Sequence, residues 1–325
     1  MSDHTAILNW ATDYLISNRH PLKALPKIVI KTPWSFVARF HTKEDIFYLK
    51  QTPKALALEA PITQILHDQF QAPVPEVIAS NSDLDCFLMK DAGRPLREIL
   101  KQHFDAKLLC QAIEQFTSLQ IVVAHHIQIF LDMGVPDWRL DQLPNLCKRL
   151  LSQKEILLAD GLTETEFLEL ENLMPLFTDL CQKLSSYKIP ESIVQCDFHD
   201  NNILVDEHPK KLTLIDLGEI VISHPFFSLV GCLRQAKRHH GLSEKEADYQ
   251  QLQAACLHHF SPFGSQQTLL DAFKIAEVLW FVYESLGQIR LRQACDETAF
   301  LAFQRPGKLV ESLKGFMTAC SAIAR

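Results

Sequence analysis

Apolar side chains recur at helical spacing through TAILNWATDYLISN (5–18), and the spacing predicts a leading helix. The period then shortens. KIVIK (27–31), SFVARFH (35–41) and DIFYLKQ (45–51) are rich in β-branched and aromatic residues and are separated by Pro33-Trp34 and by the charged turn TKED, which predicts an antiparallel meander. A helix is expected after Pro53, with apolar positions at 56, 58, 62, 65 and 66 and an interruption or kink at Pro61. Two further strands, PEVIAS (75–80) and CFLMK (86–90), precede the polar segment DAGRP. From residue 96 the pattern is mostly helical, broken by Gly134-Val135-Pro136 and by an apolar hairpin within CDFHDNNILVDEHPKKLTLIDLGE (196–219), whose HPKK turn returns the chain on itself. The pattern implies a small sheet-rich part over residues 1–90 and a larger helical part over 91–325.

Composition narrows the class. At 325 residues the chain can form one large domain or two packed lobes, and 47% hydrophobic with 22% charged residues, close to average globular usage, favours neither disorder nor a fibrous architecture. A formal net charge of −7 argues against nonspecific nucleic-acid binding, which needs a basic face to displace phosphate counterions. The best membrane-span candidate, IVVAHHIQIFLDMGV, is interrupted by His125, His126 and Asp132 and falls short of the roughly 18 apolar residues required. With no basic stretch leading into an apolar block in MSDHTAILNW, a cytoplasmic location is expected. Nine dispersed cysteines without C-x-x-C argue against a disulfide scaffold or a Cys-rich zinc site. The His-His pairs at 125/126, 239/240 and 258/259 lack the i, i+4 spacing of a helical metal site and read as solvated or core-edge residues. Nothing in the pattern specifies an oligomeric state.

The candidate chemistry lies in the hairpin. Its fold should bring Asn202, just before the first strand, near Asp216, at the end of the second, so that an amide oxygen and a carboxylate converge. A hard cation such as Mg²⁺ takes oxygen ligands and keeps several waters, so this pair plus substrate phosphates would suffice. Asp197, in the loop leading in, is placed to accept a proton from a substrate hydroxyl. Phosphoryl transfer needs those parts and a lysine for the nucleotide phosphates. Lys50 is that candidate, with Lys54 a nearby rival, and Glu59 nine residues on is a carboxylate able to fix its amine. His199 and Asp200 could touch substrate or metal but read more readily as loop braces, and Asp137 and Arg139 in GVPDWRL as a turn cap and a bridging cation. Trp280, Phe281 and Tyr283 read as helix packing, and Glu277 and Glu284 as acids that a cationic acceptor could meet, though most such charges are solvated faces.

The set YLK (48–50), Glu59, D-x-x-x-x-N (197–202) and IDLGE (215–219) resembles the aminoglycoside phosphotransferase and choline kinase family, and GVPDWRL (134–140) with SHPFFSL (223–229) resembles one bacterial branch of it. The resemblance covers roughly residues 30 to 230. It implies an α+β, protein-kinase-like two-lobe fold, with a small antiparallel-sheet N-lobe and a larger, mostly helical C-lobe. It implies ATP and Mg²⁺ as cofactors and a small-molecule hydroxyl acceptor, whether aminoglycoside-, choline- or sugar-like. Asp197 would be the catalytic base, Asn202 and Asp216 the Mg²⁺ ligands, Lys50 the phosphate lysine and Glu59 its partner. Leu88, Met89 and Lys90 would line the adenine pocket, and Ser35, in TPWSFVARF, would sit where a covering hairpin meets the phosphates. Gln195-Cys196 stand where the family usually has His-Gly, the covering turn has no glycine, and Leu217 replaces a frequent aromatic. These departures keep a non-catalytic nucleotide-binding protein as the alternative. A Ser/Thr protein kinase is disfavoured, because no activation segment with A-P-E follows Asp216.

Overall fold

A computed structural model describes residues 4–207, 210–304 and 306–323. His208 and Pro209 of the expected HPKK turn lie outside the described residues. The chain forms two compact units, neither continuous in sequence: residues 1–95, 203–218 and 293–303 make the first, and residues 96–202, 219–292 and 304–325 the second.

The first unit is built on β1 (Lys27–Lys31), β2 (Phe36–His41), β3 (Ile46–Gln51), β4 (Val77–Asn81) and β5 (Cys86–Lys90), in the antiparallel order β1-β2-β3-β5-β4. The expected meander holds for the first three. Strand alternation divides the sheet sharply into two faces. Phe36, Ala38, Phe40, Phe47, Leu49, Cys86 and Leu88 are buried in one cluster with Ile7, Ala11 and Leu15, which recur every four residues along helix α1 (Thr5–Ser17). The opposite face carries Val37 paired with Lys50, Lys50 with Phe87, and Tyr48 with Met89. Helix α2 runs from Glu59 to Phe70 after a single 3₁₀ turn at Lys54–Leu56. Pro61 therefore neither interrupts nor kinks it, because it stands in the first turn, where its missing N–H has no intrahelical partner to lose. A second sheet joins β6 (Arg94–Pro95), β8 (Ile203–Glu207) and β9 (Lys210–Leu214). Gly93 enters it at φ +105°, and a Cβ there would lie 2.1 Å from the carbonyl oxygen of Val205. Only glycine fits. Helix α12 (Glu297–Phe303) completes the unit, its Phe300 and Phe303 meeting Trp34 edge-on.

The second unit is helical: α3 (Leu96–Gln102), α4 (Ala106–Val123), α5 (Ile127–Asp132), α6 (Leu143–Leu151), α7 (Lys154–Ala159), α8 (Glu164–Ser185), α9 (Phe226–His240), α10 (Ala247–His258), α11 (Gln266–Ala294) and α13 (Lys308–Ile323). Among the described residues no helix is long and apolar enough to cross a membrane. A short antiparallel ladder pairs β7 (Ser192–Val194) with β10 (Val221–Ser223). Gln120 of α4 donates to the carbonyls of Ile193 and Pro225, at 2.9 and 3.3 Å, and accepts at its own carbonyl from Ser192. These bonds tie α4 to the ladder, and the chain leaves β7 directly into the 196–202 loop.

Candidate active site

The main candidate residues fall into two polar clusters, one in each unit. In the first, the buried Lys50 ammonium donates to Glu59 Oε1 at 2.7 Å and to Asp216 Oδ1 at 2.5 Å. Burial opposes a charged amine, but the two carboxylates outweigh it and raise the Lys50 pKa above its ordinary value. The lysine is thus a fixed cation. Glu59 opens α2, and its Oε1 also accepts from the N–H of Leu217 at 3.2 Å. Gly218 follows closely, since a Cβ there would stand 3.2 Å from Glu59 Oε2. Asp216 itself adopts φ +65°, a left-handed conformation that Asp tolerates better than most residues and that often marks a functional turn. Leu217, at the family's frequent aromatic position, is buried.

In the second unit, Asp197 is 54% exposed, yet both its oxygens are engaged. His199 Nε2 lies 2.9 Å from Oδ1, and Asn202 Nδ2 donates to Oδ2 at 3.2 Å and to the Asp197 carbonyl at 2.9 Å. The Asn201 N–H points at His199 Nδ1, which leaves the ring proton on Nε2, facing the carboxylate. Burial acts to raise the Asp197 pKa, but the hydrogen bond from His199, with Lys308 and Asn202, outweighs it and holds the carboxyl below its ordinary range. Three residues on, Asp200 is buried between Arg97 Nε at 2.8 Å and His240 Nε2 at 2.7 Å. Burial opposes its charge too, and the hydrogen bonds from Arg97 and His240 outweigh it and lower its pKa. Phe198, between the two acids, stacks on Phe116 at 4.2 Å. The loop is pinned by alternating polar and apolar anchors.

At the Gln195-Cys196 departure the bonds run to the Gln195 backbone and to the Cys196 side chain. Ser228 accepts from the Gln195 N–H at 2.9 Å and donates back to its carbonyl at 3.0 Å, while Cys196 donates to the Glu219 carbonyl and receives the Tyr283 hydroxyl at 3.0 Å. Burial pushes the Cys196 thiol up to about 12, so it is a structural group and not a nucleophile.

The remaining candidates are scattered. Ser35 closes the Thr32–Ser35 turn, its N–H bound by Thr32 Oγ1 at 2.9 Å. Met89 shares the Lys50 face of the sheet, whereas the Leu88 side chain lies in the α1 core, leaving only its backbone for a ligand on the Lys50 face. Lys90 pairs with Glu76 at 2.6 Å on the surface. Asp137 and Arg139 pair with each other, at 2.7 and 2.9 Å. Of the double histidines, His240 holds Asp200 and His259 meets Thr117 Oγ1 at 2.9 Å. Among the described residues no three His, Cys, Asp or Glu side chains converge as a metal site. Sequence reasoning left out Arg97 and Ser228 and read His240 as a solvated or core-edge residue without its Asp200 contact; the three are 103, 33 and 40 residues from their partners and carry no local signal.

Residues 28–261 match the model of the phosphotransferase enzyme family. No curated protein matches the chain. A choline/ethanolamine kinase family protein from Mesorhizobium loti superposes with a TM-score of 0.58 at 13% identity, over 98% of this chain and 94% of that one. A Plasmodium vivax ethanolamine kinase gives 0.58 at 10% identity, over 91% and 82% of the two chains, and a Streptococcus pneumoniae choline kinase gives 0.57 at 10%, over 96% and 100%. At such identities the likeness is one of fold, and the α+β protein-kinase-like architecture agrees with that expected from the sequence.

Proposed function

The chain belongs to the phosphotransferase enzyme family, and from that premise we propose that it is an ATP-dependent small-molecule kinase carrying the γ-phosphate to an acceptor hydroxyl. The observation that supports this most is the Lys50 ammonium fixed between Glu59 and Asp216, an arrangement suited to nucleotide phosphates because the amine is charged and its position is set by two partners. Leu88 through its backbone, Met89 and Lys90 are the adenine-side candidates, and Ser35 the covering-turn candidate.

Asn202 and Asp216 are the residues that would hold Mg²⁺. Their donor chemistry fits: both Asn202 contacts use Nδ2, so its carbonyl oxygen is of the kind a hard cation takes, and the Asp216 carboxylate is 44% exposed. When bound, the ion neutralises phosphate charge. Asp197 orients the acceptor hydroxyl and receives its proton, and His199 and Asn202 keep its carboxylate ionised and aimed. Positioning and charge complementarity, not covalent chemistry, carry the rate on this reading.

The test is ADP release by purified protein with ATP, Mg²⁺ and a panel of hydroxyl acceptors, alongside nucleotide binding by calorimetry. Asp197→Asn should leave nucleotide affinity unchanged and lower turnover roughly 10²–10⁴-fold. Asp216→Asn should weaken both. Full activity in Asp197→Asn would overturn the role assignment, and ATP binding with neither hydrolysis nor transfer would favour the non-catalytic alternative.

A further inference from the structure

Helix α11 passes beside the Asp197 loop. Tyr283 fixes the approach through its hydroxyl on Cys196, so the next residue, Glu284, lies close enough to Asp197 for the two carboxylates to repel. Glu284 does not stand alone. Its Oε1 accepts from Gln288 Nε2 at 2.9 Å, and Gln288 Oε1 accepts from Gln304 Nε2 at 2.9 Å, which makes a chain of amides leading away from the acid. Glu284, Gln288 and Gln304 are all partly exposed and can meet a ligand.

The charges around this chain are matched. Lys308, at the start of α13, acts on both Asp197 and Glu284. The Arg234 guanidinium lies over the rings of Trp280 and Phe281, at 4.6 and 4.5 Å, where its field reaches Glu284 and Glu277. Farther along, Lys237 pairs with Glu244, and Lys237 and Lys274 also act on Glu277. Burial, then Asp197, favours the neutral form of Glu284. A cationic acceptor gains from carboxylates only where they are uncompensated, and here it would also approach Lys308 and Arg234. An anionic acceptor would meet Asp197. An uncharged acceptor rich in hydroxyls faces neither penalty, and an acid-amide-amide chain offers it alternating donors and acceptors.

We propose that Glu284, Gln288 and Gln304 form the acceptor subsite and select a neutral polyhydroxy compound, a sugar or polyol, over amino alcohols and polycationic acceptors. The proposal rests on the reading of Asp197 as the group that receives the acceptor hydroxyl. Glu284 is then a specificity-determining residue.

The experiment measures ADP release at saturating Mg²⁺-ATP against neutral sugars and polyols in one arm and choline, ethanolamine and an aminoglycoside in the other. Turnover should appear in the neutral arm. Glu284→Gln, which keeps the side chain's shape, should raise the KM for that acceptor roughly tenfold or more, as for a change that leaves one group at the contact without its hydrogen-bond partner, while the KM for ATP stays within error. Gln304→Leu, at a partly exposed position, should act in the same direction if Glu284→Gln proves unstable. Turnover confined to the cationic arm would overturn the proposal and leave the kinase reading standing, as would an unchanged acceptor KM in both variants. Bound Mg²⁺-ATP with no turnover in either arm would overturn both.

Discussion

Lys50→Met removes the ammonium while keeping most of the side chain's reach and apolar volume, so its effect isolates the charge. Glu59, only 3% exposed, would be left with the Leu217 N–H on Oε1 and no partner on Oε2. Asp216, half exposed, can recover water; Glu59 cannot. Removing one partner of a buried pair costs about 3–5 kcal/mol, and the rehydration of Asp216 sets the expected loss near the lower end, about 3 kcal/mol. Glu59→Gln leaves Lys50 with Asp216 and should cost about 1–2 kcal/mol. The double variant buries neither charge alone, so it should lose about 2 kcal/mol less than the sum of the two single changes. Urea unfolding followed by circular dichroism at pH 7 measures all three. In Lys50→Met an isolated Glu59 has a folded pKa above its unfolded value, so the folded state binds the extra proton and the variant should gain stability as pH falls from 7 toward 5. Additive single effects, or a Lys50→Met loss below about 1 kcal/mol, would show that the triad does not hold this unit together.

Gly93→Ala should lower stability by about 2–4 kcal/mol, since backbone must move, whereas Gly161→Ala, at φ +104° with nothing within 4 Å of its Cβ, should lose only about 1 kcal/mol; equal losses by thermal melting would refute the steric argument. His224 is fully buried and burial alone pushes its pKa down from 6.5 to about 3. Between those values the unfolded chain takes up the proton and the folded one does not, so stability falls with pH, by about 2 kcal/mol from pH 6.5 to 5, and urea melts of His224→Gln should lack that share of the loss. Asp200→Ala strands Arg97 and His240 beside the 196–202 loop, and should cost about 3 kcal/mol and lower ADP release.

The sheet was legible because strand alternation and helix periodicity are local signals: Ile7, Ala11 and Leu15 face Ala38, Leu49 and Leu88 as their spacing requires. The Lys50 and Glu59 pairing was also readable, since a strand, a turn and a helix start bring positions nine residues apart together. Pro61 was misread because its effect depends on where the helix begins, and the 3₁₀ turn at Lys54–Leu56 moved that start to Glu59. The roles of Arg97 and His240 were invisible for a different reason. Their contact with Asp200 follows from the packing of α3 and α9 against the loop, and no pattern within a single element encodes it. The Gln195-Cys196 departure kept a non-catalytic reading open, and the contacts there were equally unreadable, since Ser228 on the Gln195 backbone and Tyr283 on the Cys196 thiol lie 33 and 87 residues away.

The two acids of the 196–202 loop separate by environment. Asp197 and Asp200 both have lowered pKa values, but the Asp200 side chain is 3% exposed and saturated by Arg97 and His240, whereas Asp197 is 54% exposed and holds spare lone pairs. A carboxylate below its ordinary pKa is a weak base, so Asp197 is poorly suited to removing an alcohol proton before the phosphate moves. In a loose phosphoryl transfer the nucleophile keeps its proton until late, and what the loop must supply is direction. His199 and Asn202 supply it by fixing one oxygen each, and Phe198, Asp200 and Ser228 hold the backbone from which that direction is measured. On the proposed reading, the burial of Asp200 is therefore what allows Asp197 to remain open to an acceptor without the loop losing its shape.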